Sequence, residues 1–137
     1  MAFDFDGANS EYIDILDSGV YPTVPCAFSA WFYSTSDSAG QVIFGAQDKD
    51  ETSDRIGLTV QGNVDGDPIR CFRDTSDRAT TSTGYSINTW HQGVAIYADV
   101  DDLRVLLDNG GKDVNTETFT FPAIDSCLLY TSPSPRD

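Results

Sequence analysis

Two acidic runs are the first candidates for chemistry in this chain, because clustered carboxylates can bind a metal ion. The candidate metal ligands are Asp48, Asp50 and Asp54 in QDKDETSD, and a second run, YADVDD, carries Asp99, Asp101 and Asp102. Calcium prefers several hard oxygen ligands on a flexible loop, but neither run has the glycine and terminal glutamate of an EF-hand loop. A solvated acidic turn is the simpler interpretation of both runs, and Ca²⁺ binding is the alternative.

Aromatic side chains are the second candidates, because a Trp or Tyr ring can stack on the face of a sugar ring. The candidate carbohydrate-binding residues are Trp31, Tyr33, Tyr85 and Tyr97. Tyr85 lies in the loop-like segment TSTGYS, where we expect it to be the most accessible of these aromatic residues. Core packing is the alternative for every one of them, and we favour it for Trp31 and Trp90.

Nothing in the sequence indicates nucleophilic catalysis. His91 is the only histidine, and no G-x-S-x-G segment supplies a nucleophile for it. We therefore expect a structural role for His91. The three cysteines show no metal-ligand spacing, and we expect Cys26 and Cys71 to be small buried hydrophobic residues rather than a disulfide.

Charge and length limit the function classes. The chain has 137 residues, which fits one domain, and a net charge of −14. That charge argues against binding to nucleic acid phosphates or to an anionic membrane surface. No segment has the length and apolar character of a membrane-spanning helix, and none resembles a signal peptide.

Apolar residues recur with a period of two, which is typical of strands. In CAFSAWFY, residues 26–33, the alternation places Phe28 and Phe32 on one face and Trp31 and Tyr33 on the other. Further strands are predicted in EYIDIL, QVIFGA, RIGLTV, IRCFR, HQGVAIYA and LRVLLD. Asp65-Gly66 and Asn109-Gly110 are hairpin signals between neighbouring runs. The pattern predicts an all-β fold, a sandwich or barrel.

Four segments, in order, resemble the laminin-G-like domains of the concanavalin A-like lectin/glucanase fold. They contain Phe5-Asp6-Gly7, Trp31, Thr89-Trp90-His91 and Asp108-Asn109-Gly110. The resemblance implies an antiparallel β-sandwich of the jelly-roll type. It also raises the expectation of calcium at a loop rim. The E-x-D-x-x-E strand of the glucan-cleaving relatives is missing from this sequence, so we expect a protein that is not an enzyme.

The end of the chain departs from this family. A further strand is predicted in TETFTFP, but no G-x-(I/L)-D-E-(V/I) strand follows it, and CLLYTSPSPRD stands in its place. In one choice of codons, residues 127–137 resemble a translated transposon-end sequencing adapter. We therefore expect a laminin-G-like domain at residues 1–126, incomplete at its C-terminus, followed by a non-native tail at residues 127–137.

The resemblance favours a non-catalytic binding module that recognises carbohydrate or another cell-surface partner. By fold-level analogy, we expect it to come from a phage virion or tail protein, or from another extracellular protein. The alternatives are a structural or oligomerisation domain of a virion protein without a ligand, a fragment of a glycoside-hydrolase relative, and a module of a larger enzyme. The sequence specifies no oligomeric state.

Overall fold

A computed structural model describes residues 13–16, 23–48, 55–73, 77–118, 120, 121, 124 and 126–129. Within these residues the chain forms ten strands. They are β1 (Ile13–Leu16), β2 (Cys26–Tyr33), β3 (Gly40–Gln47), β4 (Arg55–Gln61), β5 (Pro68–Arg73), β6 (Asp77–Gly84), β7 (Trp90–Asp99), β8 (Asp102–Leu107), β9 (Gly110–Asn115) and β10 (Ser126–Leu129). The predicted strand EYIDIL lies partly outside the described residues.

The strands form two sheets in which neighbouring strands run antiparallel. One sheet has the order β1-β10-β3-β4-β5-β6, and the other has the order β2-β7-β8-β9. The predicted all-β sandwich is therefore confirmed. In the described part of the chain, no helix is long and apolar enough to cross a membrane.

The core lies between the two sheets, as the alternation of apolar residues requires. Phe28 of β2 stacks on Phe44 of β3 across the interface, with 4.3 Å between ring centroids. Cys71 is fully buried and its thiol donates to the Arg104 carbonyl at 3.4 Å. Cys26 is half-buried, and both cysteines are free, so the prediction of unpaired cysteines is confirmed.

One polar group, the hydroxyl of Tyr97, joins the sheets inside this core. Tyr97 extends from β7 to the opposite sheet, where its hydroxyl donates to the Phe72 carbonyl at 2.5 Å and accepts from the Gly57 amide at 3.1 Å. Burial raises the pKa of Tyr97 well above its usual value, so the hydroxyl stays protonated. Gly57 must lack a side chain, because a Cβ there would lie 2.5 Å from the Phe44 carbonyl oxygen.

Two strands that the sequence did not predict, β6 and β9, close one side of the sandwich. Each has few large apolar residues, and each lies at the edge of its own sheet. Asp113 of β9 accepts from the Thr80 amide of β6 at 3.1 Å, and Asn115 donates to the Arg78 carbonyl at 3.0 Å. The strand predicted in TETFTFP was wrong, because residues 116–118, 120 and 121 are irregular.

Both predicted hairpins are present, but the central residues of the β8–β9 turn are not the predicted Asn109-Gly110. Leu107 pairs with Gly110, so the turn of the β8–β9 hairpin is Asp108-Asn109, with φ angles of 50° and 62°. Positive φ at both central residues is the primed turn that a two-residue hairpin needs. At the β4–β5 connection, the Asp67 amide donates to the Val64 carbonyl at 3.0 Å around Asp65-Gly66.

The end of the described chain also differs from expectation. Ser126–Leu129 forms β10, which pairs with β1 on one side and β3 on the other. A strand therefore follows TETFTFP, although the sequence there lacks the G-x-(I/L)-D-E-(V/I) pattern. The origin of residues 127–137 as a non-native tail stays a prediction.

Replacing Tyr97 by Phe should destabilise the fold by about 1–3 kcal/mol, because buried main-chain groups of β4 and β5 lose their partner. Urea unfolding of the two proteins measures this difference. Tyr33→Phe is the matched control, since Tyr33 is 42% exposed, and its effect should stay within about 0.5 kcal/mol. Equal effects of the two substitutions would contradict the role given to Tyr97.

Deleting residues 127–137 should lower the melting temperature and promote aggregation, because β1 loses its partner and β3 gains an open edge. Differential scanning fluorimetry and light scattering measure the two effects. Deletion of residues 131–137 alone, which keeps β10, is the control. A sharp, reversible transition for the chain ending at residue 126 would show that β10 is dispensable.

Candidate functional site

The outer face of the four-stranded sheet carries exposed aromatic residues. Along β2 the side chains alternate, and Phe32 is buried whereas Trp31 and Tyr33 are 64% and 42% exposed. The prediction that Trp31 and Tyr33 share one face of the strand, opposite Phe28 and Phe32, is therefore confirmed. This face of β2 is open to a ligand.

Trp90 adds a third aromatic side chain to this face. It lies directly opposite Tyr33 in the β2–β7 ladder, and the two rings are 5.6 Å apart between centroids at an angle of 54°. Trp90 is 56% exposed, so the predicted core packing of Trp31 and Trp90 was wrong. The inward positions beside them are occupied by Phe32 and His91, which leaves the alternate positions facing solvent.

Two polar side chains lie beside these rings. Gln92 is opposite Trp31, and its amide nitrogen donates to the Ser29 hydroxyl at 3.0 Å. We call Trp31, Tyr33 and Trp90, with Ser29 and Gln92, the aromatic platform. It combines flat apolar rings with hydrogen-bonding groups, which is the composition of a site that binds an uncharged polar ring.

The other two predicted aromatic residues do not reach the surface. Tyr85 is 4% exposed, and its hydroxyl donates to the Ser36 carbonyl at 2.8 Å. Tyr97 is fully buried and joins the two sheets. Their assignment to an accessible carbohydrate site was wrong, because both rings fill space between the sheets and their hydroxyls bind main-chain groups there.

His91 is buried behind the aromatic platform, and it hydrogen-bonds to Asp108, whose side chain is 47% exposed. The Ser86 amide donates to His91 Nε2 at 3.0 Å, and the Ser86 carbonyl oxygen lies at the same distance from Nε2. Nδ1 donates to Asp108 Oδ2 at 2.6 Å, and the other carboxylate oxygen accepts from the Gln92 amide at 2.8 Å. This geometry fixes the turn at Asp108 and the segment before Trp90, in agreement with a structural role for His91.

Comparison with known proteins gives matches at the level of the fold, among solved structures. No protein-family model and no curated protein matches this chain. Among solved structures, it is similar to domains LG4-5 of the mouse laminin α1 chain, with a TM-score of 0.66 and 18% sequence identity. The match covers 93% of this chain and 33% of that chain. The chain has a laminin-G-like fold.

Two of the segments that carry the laminin-G-like resemblance meet in the structure. His91, from Thr89-Trp90-His91, binds Asp108, from Asp108-Asn109-Gly110. Trp31 lies on the neighbouring strand β2, and Phe5-Asp6-Gly7 lies outside the described residues. The sequence indicated these segments singly, but not that the histidine of one binds the carboxylate of another.

One acidic run, QDKDETSD, lies largely outside the described residues, whereas YADVDD is fully described. Asp48 follows β3, and Asp50 and Asp54 lie outside the described residues, so the calcium site stays a prediction. In YADVDD, Asp99 accepts from the Val100 amide at 2.7 Å, and Asp102 forms an ion pair with Arg104. Among the residues that the structure describes, no three metal-ligating side chains form a group.

Asp108 makes the stability of the laminin-G-like fold depend on pH. Burial by itself would raise the pKa of Asp108, but hydrogen bonds from the Gln92 amide and from His91 outweigh it and lower the pKa below 3.8. A carboxyl group of this kind stabilises the fold above its unfolded pKa. The stabilisation is lost as the pH falls through the lower folded pKa.

We therefore expect Asp108→Asn to be less stable than the wild type at pH 6, with the difference shrinking below about pH 4. Urea unfolding at stepped pH measures it. Asparagine tolerates the positive φ of this turn position, so backbone strain would not cause the loss of stability. Asp101→Asn, at an exposed turn residue, is the control. A stability difference that stays constant from pH 6 to pH 2 would show that ionisation of the Asp108 carboxyl group is not its cause.

Proposed function

We propose that this chain is a non-catalytic binding module that recognises a glycan through the aromatic platform. The observation that carries the proposal is the exposure of Trp31, Tyr33 and Trp90 on one face of one sheet. Large aromatic side chains exposed together on a folded domain mark interaction surfaces. Their rings offer stacking faces to sugars, while Ser29 and Gln92 offer hydrogen bonds to hydroxyl groups.

The charge of the protein narrows the ligand that the platform would take. At a net charge of −14, a strongly anionic polymer would be repelled on approach. Arg104, which lies on the same outer face, is already paired with Asp102. We therefore propose a neutral glycan at the platform.

The platform residues occupy outer positions of β2 and β7, and the three aromatic rings are exposed there. An open face suits an extended chain or a glycan-covered surface better than a single small sugar. This is consistent with a module of a virion or another extracellular protein, which would meet glycans on cell surfaces. The genes that flank the coding sequence test that setting: virion genes would support it.

A glycan array tests the function. We expect binding to neutral glycans, and both Trp31→Ala and Trp90→Ala should weaken it about tenfold or more, because central aromatic residues carry much of the energy of an interface. Ile87→Ala is the matched control, since Ile87 is an exposed apolar residue outside the platform. Melting curves show whether each variant is folded.

The array also separates binding from a structural role. If it is silent for the wild type and sedimentation shows a dimer that Trp31→Ala dissociates, the platform is a contact between copies of the chain. If it is silent and Trp31→Ala changes no association state, the platform has neither function.

A further inference from the structure

The outer face of the six-stranded sheet carries positive charge in a strongly acidic protein. The chain has 8 Lys and Arg residues against 22 Asp and Glu residues. Three of its arginines lie on the adjacent strands β4, β5 and β6 around one aromatic ring. We call Arg55, Arg70 and Arg78, with Phe72, the arginine cluster.

The strand register places these side chains together. Phe72 lies directly opposite Gly57 of β4 on one side and Arg78 of β6 on the other. The Phe72 ring covers Gly57, since a Cβ there would lie 2.7 Å from the ring. Arg55 extends over the same ring, with its Cζ atom 5.8 Å from the centroid.

The remaining arginine of the cluster, Arg70, is two residues from Phe72 on β5 and therefore diagonal to Arg78. Its Nε donates to the Thr80 hydroxyl at 3.2 Å. Burial lowers the pKa of Arg70, and the positive charge of Arg78 lowers it further, so the two guanidinium groups repel each other.

Within the described part of the chain, the charges of the cluster have no carboxylate partner. Over the described ranges of the chain, no carboxylate is within ion-pair distance of Arg55, Arg70 or Arg78, in contrast with the Arg104–Asp102 pair. The Arg55 Nε is buried and has no hydrogen-bond partner there. Like charges that are held together without a counter-charge cost stability, and an anionic ligand would offset that cost.

We propose that the arginine cluster binds a sugar unit that carries a single carboxylate. Guanidinium groups match the planar, two-oxygen geometry of a carboxylate, and Phe72 provides an apolar surface for the ring that bears it. A single charge is required because the overall charge of −14 disfavours a densely charged polyanion. This site lies on the outer face opposite the aromatic platform and does not depend on it.

Titration with glucuronate, followed by NMR chemical shifts of the full chain, tests the proposal. We expect saturable binding that weakens as salt is added, and binding to methyl glucoside that is at least about tenfold weaker. Arg78→Gln and Arg70→Gln should each reduce glucuronate affinity about tenfold. Arg104→Gln, at an ion-paired arginine on the other sheet, should leave it unchanged.

Three results would overturn the proposal. The first is that neither cluster substitution changes the affinity for glucuronate. The second is that glucuronate and methyl glucoside bind equally well. The third is that glucuronate and inorganic sulfate bind equally well, which would show that the sugar ring is not recognised. Arg78 is exposed, so Arg78→Gln should fold, and its melting curve verifies this. Trp31→Ala should bind glucuronate like the wild type, so failure at the platform and failure at the cluster are distinguishable.

Discussion

The hydroxyl of Tyr97 connects the two sheets in the middle of the core, and much of the structure depends on this contact. It bonds to main-chain atoms of Gly57 and Phe72, which lie opposite each other on β4 and β5. The same pair shapes the outer surface, because the missing side chain of Gly57 is the space over which the Phe72 ring lies. The pair of Gly57 and Phe72 therefore acts on both faces of the sheet. On the inside their main-chain groups bind the Tyr97 hydroxyl, and on the outside the Phe72 ring is the centre of the arginine cluster.

The core also determines what the four-stranded sheet presents to solvent. Its inward positions hold residues such as Phe28, Phe32 and Tyr97, which pack against the other sheet. In an antiparallel ladder, the alternate residues must then face outward. Trp31 and Trp90 are exposed for this reason. A large side chain in such a position is available for binding, and the fold needs no further packing from it.

The cluster of His91 and Asp108 shows how local sequence signals become one structural unit. The turn Asp108-Asn109 directs the Asp108 carboxylate back toward β7, where it accepts hydrogen bonds from His91 and from the Gln92 amide. His91 in turn accepts from Ser86 before the strand begins. The cluster fixes the start of β7, and Trp90 and Gln92 of the aromatic platform flank His91 there.

The sequence by itself determined the all-β class, most long strands and two hairpins. It also determined the side of β2 on which Trp31 and Tyr33 lie. These features could be predicted because period-two alternation and turn residues are local properties of the chain. Only the tertiary structure decided that Trp31 and Trp90 are exposed while Tyr85 and Tyr97 are buried. It also revealed β6, β9 and β10, which are specified by their neighbours and not by their own composition. Alternation separates the two faces of a strand, but burial depends on which face meets a second layer, and that layer comes from distant parts of the chain.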